Sequence, residues 1–365
     1  MIWYLANLKE SWGSSPGLRA ALAGASAFLF VLFFGRWFIP WLQAKQFLDV
    51  SRKGDSAHLD DLHAHKSRTP TLGGIVWFAG VLGAVLLWAR LDSTATLLLS
   101  GYVLALAVLG FFDDFKKLRT RRKGIRGKTK LFWQILLAAL IGIHLFVAPP
   151  EVRFPGVSGN ATNFLFLPIG EGIAIPLGAG FILLVILVTT GSSNAVNLTD
   201  GLDGLATGCS LIVGGTFTAL ALLAGDESAS LALHIPYVAE GSEVAVFLSA
   251  LVGGGFGFLW FNCHPAQIFM GDTGSLPLGG ALGLAAVLCR QEILLFLAGG
   301  VLVAEAASVM LQVGYFKLTT KRIFLCAPLH HHFQFKGWSE TKVTVRFWIV
   351  GTLLAIISFL ILVKL

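Results

Sequence analysis

Asn194-Ala-Val-Asn-Leu-Thr-Asp-Gly-Leu-Asp-Gly-Leu205 places two carboxylates, Asp200 and Asp203, between apolar runs, with a glycine after each. Residues 172–199 before the second half of this stretch and 204–225 after it carry no charge. Runs of that length can cross about 30 Å of hydrocarbon as helices. A carboxylate between them either sits at a membrane–water boundary or is buried at a cost of several kcal/mol. Were the stretch helical throughout, Asp200 and Asp203 would share a face, as would Asn197 and Asp200. Gly201 and Gly204 would let a ligand or another backbone approach. A polar turn that only separates two membrane helices explains the stretch equally well, unless other polar clusters gather on the same side.

Working outward, uncharged runs recur at residues 69–89, 93–112, 131–150, 244–271, 273–289 and 347–363. Two further spans tolerate a charge: 20–42, with Arg36 near one end, and 293–316, with Glu305 inside. The 365-residue chain thus reads as an all-α polytopic membrane protein of about ten spans, a single membrane domain over residues 1–365. The glycine-containing run 273–289 is short enough to be a broken or tilted element. Only 13% of residues are charged and the mean hydropathy is +0.77, which excludes a soluble domain. The first apolar stretch is too long for a cleaved signal peptide and lacks a small-residue cleavage site. The four cysteines are far apart and form no CxxC pair, so neither a disulfide framework nor a zinc site is expected. Abundant glycine suits close helix approach in lipid.

Ten spans divide the loops into two sets. Loops 43–68, 113–130, 200–203, 262–272 and 317–346 hold 20 of the 27 Lys and Arg residues; the opposite loops hold only Arg90, Arg153 and Arg290, against eight acids. The asymmetry puts the first set in the cytoplasm and both termini outside. Asp113, Asp114, Asp200, Asp203, Asp272 and His330–His332 all fall in or beside that set, as a catalytic face at the inner surface would require.

Asp113 and Asp114 end the third span, and both can reach Lys117, at i+4 and i+3. Adjacent helical carboxylates point about 100° apart, so equal coordination of one ion by both is not expected. Residues 116–130 carry nine basic residues and no acid. Topology and attraction to anionic membrane lipid explain most of them, and no nucleic-acid partner is implied. Gly271-Asp272-Thr273-Gly274-Ser275 sets one acid among small residues before an apolar span. A hard cation such as Mg²⁺ takes one or two carboxylates and completes its shell with phosphates and water, and the following helix start suits an anion. Phe269 is a candidate surface for stacking a base. Three consecutive histidines diverge too far to hold one metal and have no HExxH or cysteine partner, so His330, His331 and His332 suit hydrogen bonding toward phosphates. His58, His63 and His65 read as solvated. Glu305 is costly in lipid; a hydrogen-bonded structural role is favoured, nearer the outer half of its span.

Taken in order, Lys66-Ser-Arg-Thr-Pro-Thr-Leu-Gly-Gly74, Phe112-Asp-Asp-Phe-Lys-Lys117, residues 194–205, residues 262–275 and Pro328-Leu-His-His-His-Phe-Gln-Phe-Lys-Gly-Trp338 resemble the phospho-N-acetylmuramoyl-pentapeptide transferases, as does 338–349. The resemblance covers about residues 66–349. It implies transfer of phospho-MurNAc-pentapeptide from UDP-MurNAc-pentapeptide to undecaprenyl phosphate, giving lipid I and UMP, in a bacterial inner membrane with Mg²⁺ as cofactor. It implies Asp272 as metal ligand, Asp113 and Asp114 as catalytic acids near the lipid phosphate, and His330–His332 on substrate phosphates. Lys66, Thr71, Asn194, Asn197, Asp200, Asp203, Asn262, Phe269 and Gln312 would bind substrate, with Lys117 and Lys130 close by. Arg68 and Leu72 depart from the family's usual Gly and Met, and the loop 49–65 follows no family pattern. Both departures concern the entrance to the site.

A phosphomonoester's second pKa is near ~6, so the lipid phosphate is already a competent nucleophile at neutral pH. Direct attack is therefore favoured over a phospho-aspartate on Asp113 or Asp114. The rival readings are a UDP-GlcNAc polyprenyl-phosphate GlcNAc-1-phosphate transferase, which would share the acidic motifs but not the 328–338 stretch, and a lipid-phosphate transporter, which would place polar residues at the midplane and on both faces. The sequence leaves a homodimer open.

Overall fold

The computed structural model describes residues 15–48, 69–120, 124–168 and 172–363. Lys66, Arg68, the histidines at 58, 63 and 65, and the loop 49–65 lie outside them. Thirteen helices and four short strands follow in order among the described residues: α1 Pro16–Ala44, α2 Gly74–Trp88, α3 Thr94–Thr120, α4 Gly127–Val147, β1 Val152–Arg153, β2 Phe164–Leu167, β3 Ile173–Pro176, α5 Gly180–Thr199, α6 Leu205–Ala224, α7 Glu227–Leu233, β4 Tyr237–Val238, α8 Gly241–Asn262, α9 Asp272–Leu288, α10 Glu292–Ala298, α11 Gly300–Thr319, α12 Leu329–Phe335 and α13 Glu340–Val363. Eight of the helices are long and apolar enough to cross a membrane; α2 and α9 are shorter apolar helices. The fold is that of an all-α polytopic membrane protein.

The bundle is organised around α9, every residue of which is buried. Lipid is as apolar as a leucine side chain, so helices here are held by close van der Waals approach. Small residues supply it. A β-carbon on Gly283 would stand 2.9 Å from the Thr189 backbone of α5, and one on Gly279 would strike the backbone of Ser192. The α1–α8 pair packs the same way, Gly24 backbone against Gly253. Polar side chains add fixed points: Trp77 Nε1 of α2 donates to the Leu251 carbonyl of α8 at 3.0 Å, and the buried Arg19–Glu243 pair ties α1 to α8 at 2.6 Å.

Three boundaries differ from the sequence reading. The run 172–199 is a strand plus a helix, because Ile173–Pro176 pairs with Phe164–Leu167 in an antiparallel hairpin before α5 begins. The loop expected over 262–272 is present, between a helix that ends at Asn262 and one that begins at Asp272. The span 293–316 is interrupted at Gly299 between α10 and α11. The final helix begins earlier than expected, at Glu340.

The short elements divide the two ends of the bundle. β1 pairs with β4 and β2 with β3 at one end. At the other end the C-termini of α3, α5, α8 and α11 meet the N-termini of α4, α6, α9 and α13.

Candidate active site

Three carboxylates converge at that second end. Asp113 and Asp114 come from the last turns of α3 and Asp272 from the first residue of α9, and one oxygen of each lies within 4.8 Å of the others. The expected divergence of adjacent helical carboxylates is overcome by their partners. The Ile125 amide donates to Asp113 Oδ1 at 2.6 Å. Thr273 donates to Asp114 Oδ2 through both its amide and its hydroxyl, each at 2.8 Å. All three acids are buried.

Close packing of α3 on α9 makes the convergence possible. Gly110, one turn before Asp113, lies where a β-carbon would run into the Asp272 carbonyl. Gly271 has φ +69, and a β-carbon there would sit 2.5 Å from Asp114 Oδ2 and 2.9 Å from Thr71 Oγ1. Only a glycine suits both the left-handed backbone and the space.

Two lysines counter the acids. Lys117 Nζ stands 2.6 Å from Asp113 Oδ2, 3.2 Å from Asp114 Oδ1 and 3.1 Å from Asp272 Oδ1. Both intrahelical pairs expected from the sequence are thus formed, with Asp272 as a third partner. Lys130, in the first turn of α4, pairs with Asp272 Oδ2 and lies 3.5 Å from Asp113 Oδ2. Asn197 donates to Asp272 Oδ1 at 3.0 Å and to Ser275 Oγ at 2.8 Å. Three carboxylates therefore face two ammonium groups in a buried setting. The donor set is all hard oxygen, and Asp113 Oδ2 accepts no well-aligned hydrogen bond despite the ammonium beside it. These residues could hold a metal ion.

The other candidates are placed differently. Asn194 donates to Gln134 Oε1 at 3.0 Å and to the Thr190 carbonyl; Gln134 in turn donates to Ser193. This lattice joins α4 to α5 and does not include the acids. Helix α5 ends at Thr199, so Asp200 is its C-cap and Asp203 lies in the turn before α6. The shared helical face expected for Asp200 and Asp203 does not form.

Asp203 belongs to a second cluster. Its Oδ2 accepts from the Ala266 amide and lies 3.1 Å from His264 Nδ1, while its own amide donates to Glu340 Oε1 at 2.6 Å. Asn262 accepts from Thr207 and donates to the Ile268 carbonyl, holding the same loop from inside. Phe269 is half-buried, and its backbone joins that loop to Pro70 and Gly73. Gln312 accepts from the Ile323 and Phe324 amides, so its side chain pins the segment after α11.

The three histidines diverge as expected. His330 Nδ1 lies 3.0 Å from Glu305 Oε2, and its amide donates to Glu305 Oε1 at 3.1 Å. His331 Nδ1 faces Gln334 Oε1 at 2.8 Å, and His332 Nδ1 accepts from the Leu325 amide at 3.1 Å. Glu305 is hydrogen-bonded as expected, but its position is corrected. It reaches His330, whose Nε2 abuts Gly201, so it serves the same end of the bundle as the acids.

Four contributors escaped the sequence reading: Thr273, Gln134, His264 and Glu340. Gln134 carried a signal, being one polar side chain in the apolar run 131–150. Glu340 carried none, because its partner is 137 positions away.

Comparison with known proteins agrees with this architecture. The sequence model of glycosyl transferase family 4 matches residues 96–290, a range that includes all three converging acids. The chain is 46% identical over 362 residues to the phospho-N-acetylmuramoyl-pentapeptide-transferase of Leptospira biflexa serovar Patoc, covering 96% of each chain. It is 45% identical over 343 residues to the enzyme of that name from Desulfotalea psychrophila, covering 93% of this chain and 92% of the relative. With that of Geobacter sp. strain M21 the identity is 46% over 342 residues, covering 93% and 91%. A buried acid–lysine centre on a bundle of membrane-length helices and near-complete coverage by such relatives lead to one conclusion: the chain is a bacterial membrane transferase belonging to glycosyl transferase family 4 and, within it, to the phospho-N-acetylmuramoyl-pentapeptide-transferases.

Proposed function

We propose that the chain transfers phospho-MurNAc-pentapeptide from UDP-MurNAc-pentapeptide to undecaprenyl phosphate, forming lipid I and UMP for peptidoglycan synthesis. The observation that carries this reading is the convergence of Asp113, Asp114 and Asp272 with Lys117 and Lys130 at one end of the bundle. The excess of Lys and Arg in the loops of that end supports its facing the cytoplasm of the inner membrane, with both termini outside.

One phosphoanhydride is exchanged for another, so the main task is to bring two anions together. Lys117 and Lys130 offer ammonium groups to the two phosphates, and the buried setting strengthens that attraction relative to water. Asp272 would hold Mg²⁺, with Asp113 and Asp114 in reach, and the ion would neutralise charge on the phosphate oxygens. Asn197 fixes the Asp272 carboxylate, Thr273 fixes Asp114, and the Ile125 amide fixes Asp113. The acceptor phosphate needs no strong base, so Asp113 acts chiefly by orienting Lys117. His330, held by Glu305, His331 and His332 lie on the segment that would meet the nucleotide's phosphates. Thr71, beside Asp114, would border the same pocket.

The test is an assay of the purified chain with undecaprenyl phosphate, Mg²⁺ and, separately, UDP-MurNAc-pentapeptide or UDP-GlcNAc. Lipid-linked product and UMP are expected only with the first. Product from UDP-GlcNAc alone would replace the muramoyl reading with the GlcNAc-1-phosphate one.

A further inference from the structure

Lys336, Lys342 and Arg346 lie on the segment that leads from α12 into α13, apart from the acid–lysine centre, and all three are exposed. Two of them converge on one ring. The Arg346 guanidinium lies 4.3 Å from the centroid of Trp338, and Lys342 Nζ lies 5.3 Å from the same centroid. Trp338 is itself stacked on Phe333, with centroids 4.6 Å apart, and Lys336 Nζ lies 6.0 Å from the Phe333 ring.

Like charges gathered on one aromatic platform repel unless an anion stands between them. The sequence offers one acid in this segment, Glu340, and it is turned away to accept from the Asp203 amide at 2.6 Å. Among the described residues none of the three cations is ion-paired with a carboxylate. Cation–π contact fixes where the charges stand but does not neutralise them. The patch is a preorganised anion receptor that no carboxylate among the described residues fills.

Its depth indicates which anion. Trp338 stands two residues before α13, an apolar span whose first turn carries Lys342. Tryptophan concentrates at the level of lipid headgroups, and basic side chains there attract anionic lipid. Val345, beside Arg346, is exposed, and Ile349 and Val350, one turn further into the span, are apolar and 54% and 46% exposed, which suits an acyl chain below a phosphate.

We propose that Lys342 and Arg346, positioned by Trp338 and assisted by Lys336, bind the phosphate headgroup of an anionic glycerophospholipid at the start of α13. None of the three cations belongs to the Asp113, Asp114 and Asp272 cluster or to its lysine pairs.

The test uses the full chain in phosphatidylcholine vesicles, with Cys263→Ser and Cys326→Ser and a bimane probe on Val345→Cys. Brominated phosphatidylglycerol or brominated phosphatidylcholine is added as quencher. Half-maximal quenching is expected at a lower mole fraction of the phosphatidylglycerol. Each of Lys342→Gln and Arg346→Gln should narrow that difference about fivefold, as expected for one basic residue near a charged surface. Arg346→Lys should narrow it less. Lys321→Gln with Arg322→Gln removes the same charge elsewhere and should leave it intact.

The proposal is overturned if the two lipids quench equally in the parent, or if the difference survives the loss of both cations. It is also overturned if the control pair reduces the difference equally. Displacement of the phosphatidylglycerol by undecaprenyl phosphate would likewise overturn it, by assigning the patch to the acceptor substrate.

Discussion

Two clusters at the same end of the bundle have the composition of a metal site: Asp113, Asp114 and Asp272, and Asp203, His264 and Glu340. Their surroundings differ. In the second, Asp203 accepts from the Ala266 amide and faces the His264 ring, and Glu340 accepts from the Asp203 amide. These groups are used to close a loop onto the start of α13. In the first, backbone and hydroxyl donors fix one oxygen each of Asp113 and Asp114, and the rest of the acid charge is turned on Lys117, Lys130 and a shared centre. Proximity of acids therefore does not mark a reactive site; what marks it is acid charge turned on lysines and a shared centre instead of being used to close a loop.

The largest expected effect is at Asp272. Asp272→Asn keeps the size but leaves one acceptor oxygen where Asn197 and Lys117 meet one carboxylate oxygen and Lys130 the other, and it removes a carboxylate from a hard-cation site. Turnover should fall by about 10³-fold or more, the range seen when one key electrostatic group is lost, and the Mg²⁺ requirement should shift to higher concentration. Activity within tenfold of the parent at low Mg²⁺ would remove Asp272 as a metal ligand.

Next is Thr273→Val, which deletes one of the two hydrogen bonds from Thr273 to Asp114 and keeps the shape. A hydrogen bond to a charged group contributes about 1.5–3 kcal/mol, so kcat should fall roughly 10- to 100-fold with little change in thermal stability. A loss of stability equal to the loss of rate would make the contact structural and erase the contrast between the clusters.

Asp203→Asn probes the other side of the comparison. The amide oxygen can still accept from Ala266, but the charge opposite His264 is gone. The expected cost is in folding, about 1–3 kcal/mol, with kcat in the surviving protein reduced less than tenfold. An unchanged melting temperature with a raised KM for the UDP-sugar would place Asp203 on the nucleotide instead.

The all-α polytopic class and the order of the eight membrane-length helices were readable from uncharged runs, because lipid imposes a length rule on each segment alone. Asp113, Asp114, Asp272, Lys117 and Lys130 could also be singled out. Their meeting point could not, since it depends on Gly110 letting α3 approach the Asp272 backbone and on Gly271 turning the chain beside Asp114. For the same reason Glu305 was placed at the wrong end: the helix break at Gly299 and the return of residues 328–335 to Gly201 are tertiary facts. The roles of Asn194, Asn262 and Gln312 in holding neighbouring segments were hidden too, because a polar side chain in a sequence does not reveal whether its partner is a ligand or a backbone amide.

The smallest expected effect concerns pH and His332. Partial burial, and then the charge of Lys336, hold its imidazole below the usual histidine range. Its Nδ1 accepts from the Leu325 amide, a bond that only the form unprotonated at Nδ1 can make. A histidine whose folded pKa is depressed contributes stability that is fully present above its unfolded value of about 6.5 and is lost as pH falls through the folded value. Thermal unfolding of the purified chain should therefore show stability declining as pH drops from 7 toward 5, with part of that decline due to this residue. His332→Gln can still accept from Leu325 but does not titrate, so its pH slope over that range should be shallower than the parent's. Equal slopes would show that His332 is not held neutral by the fold.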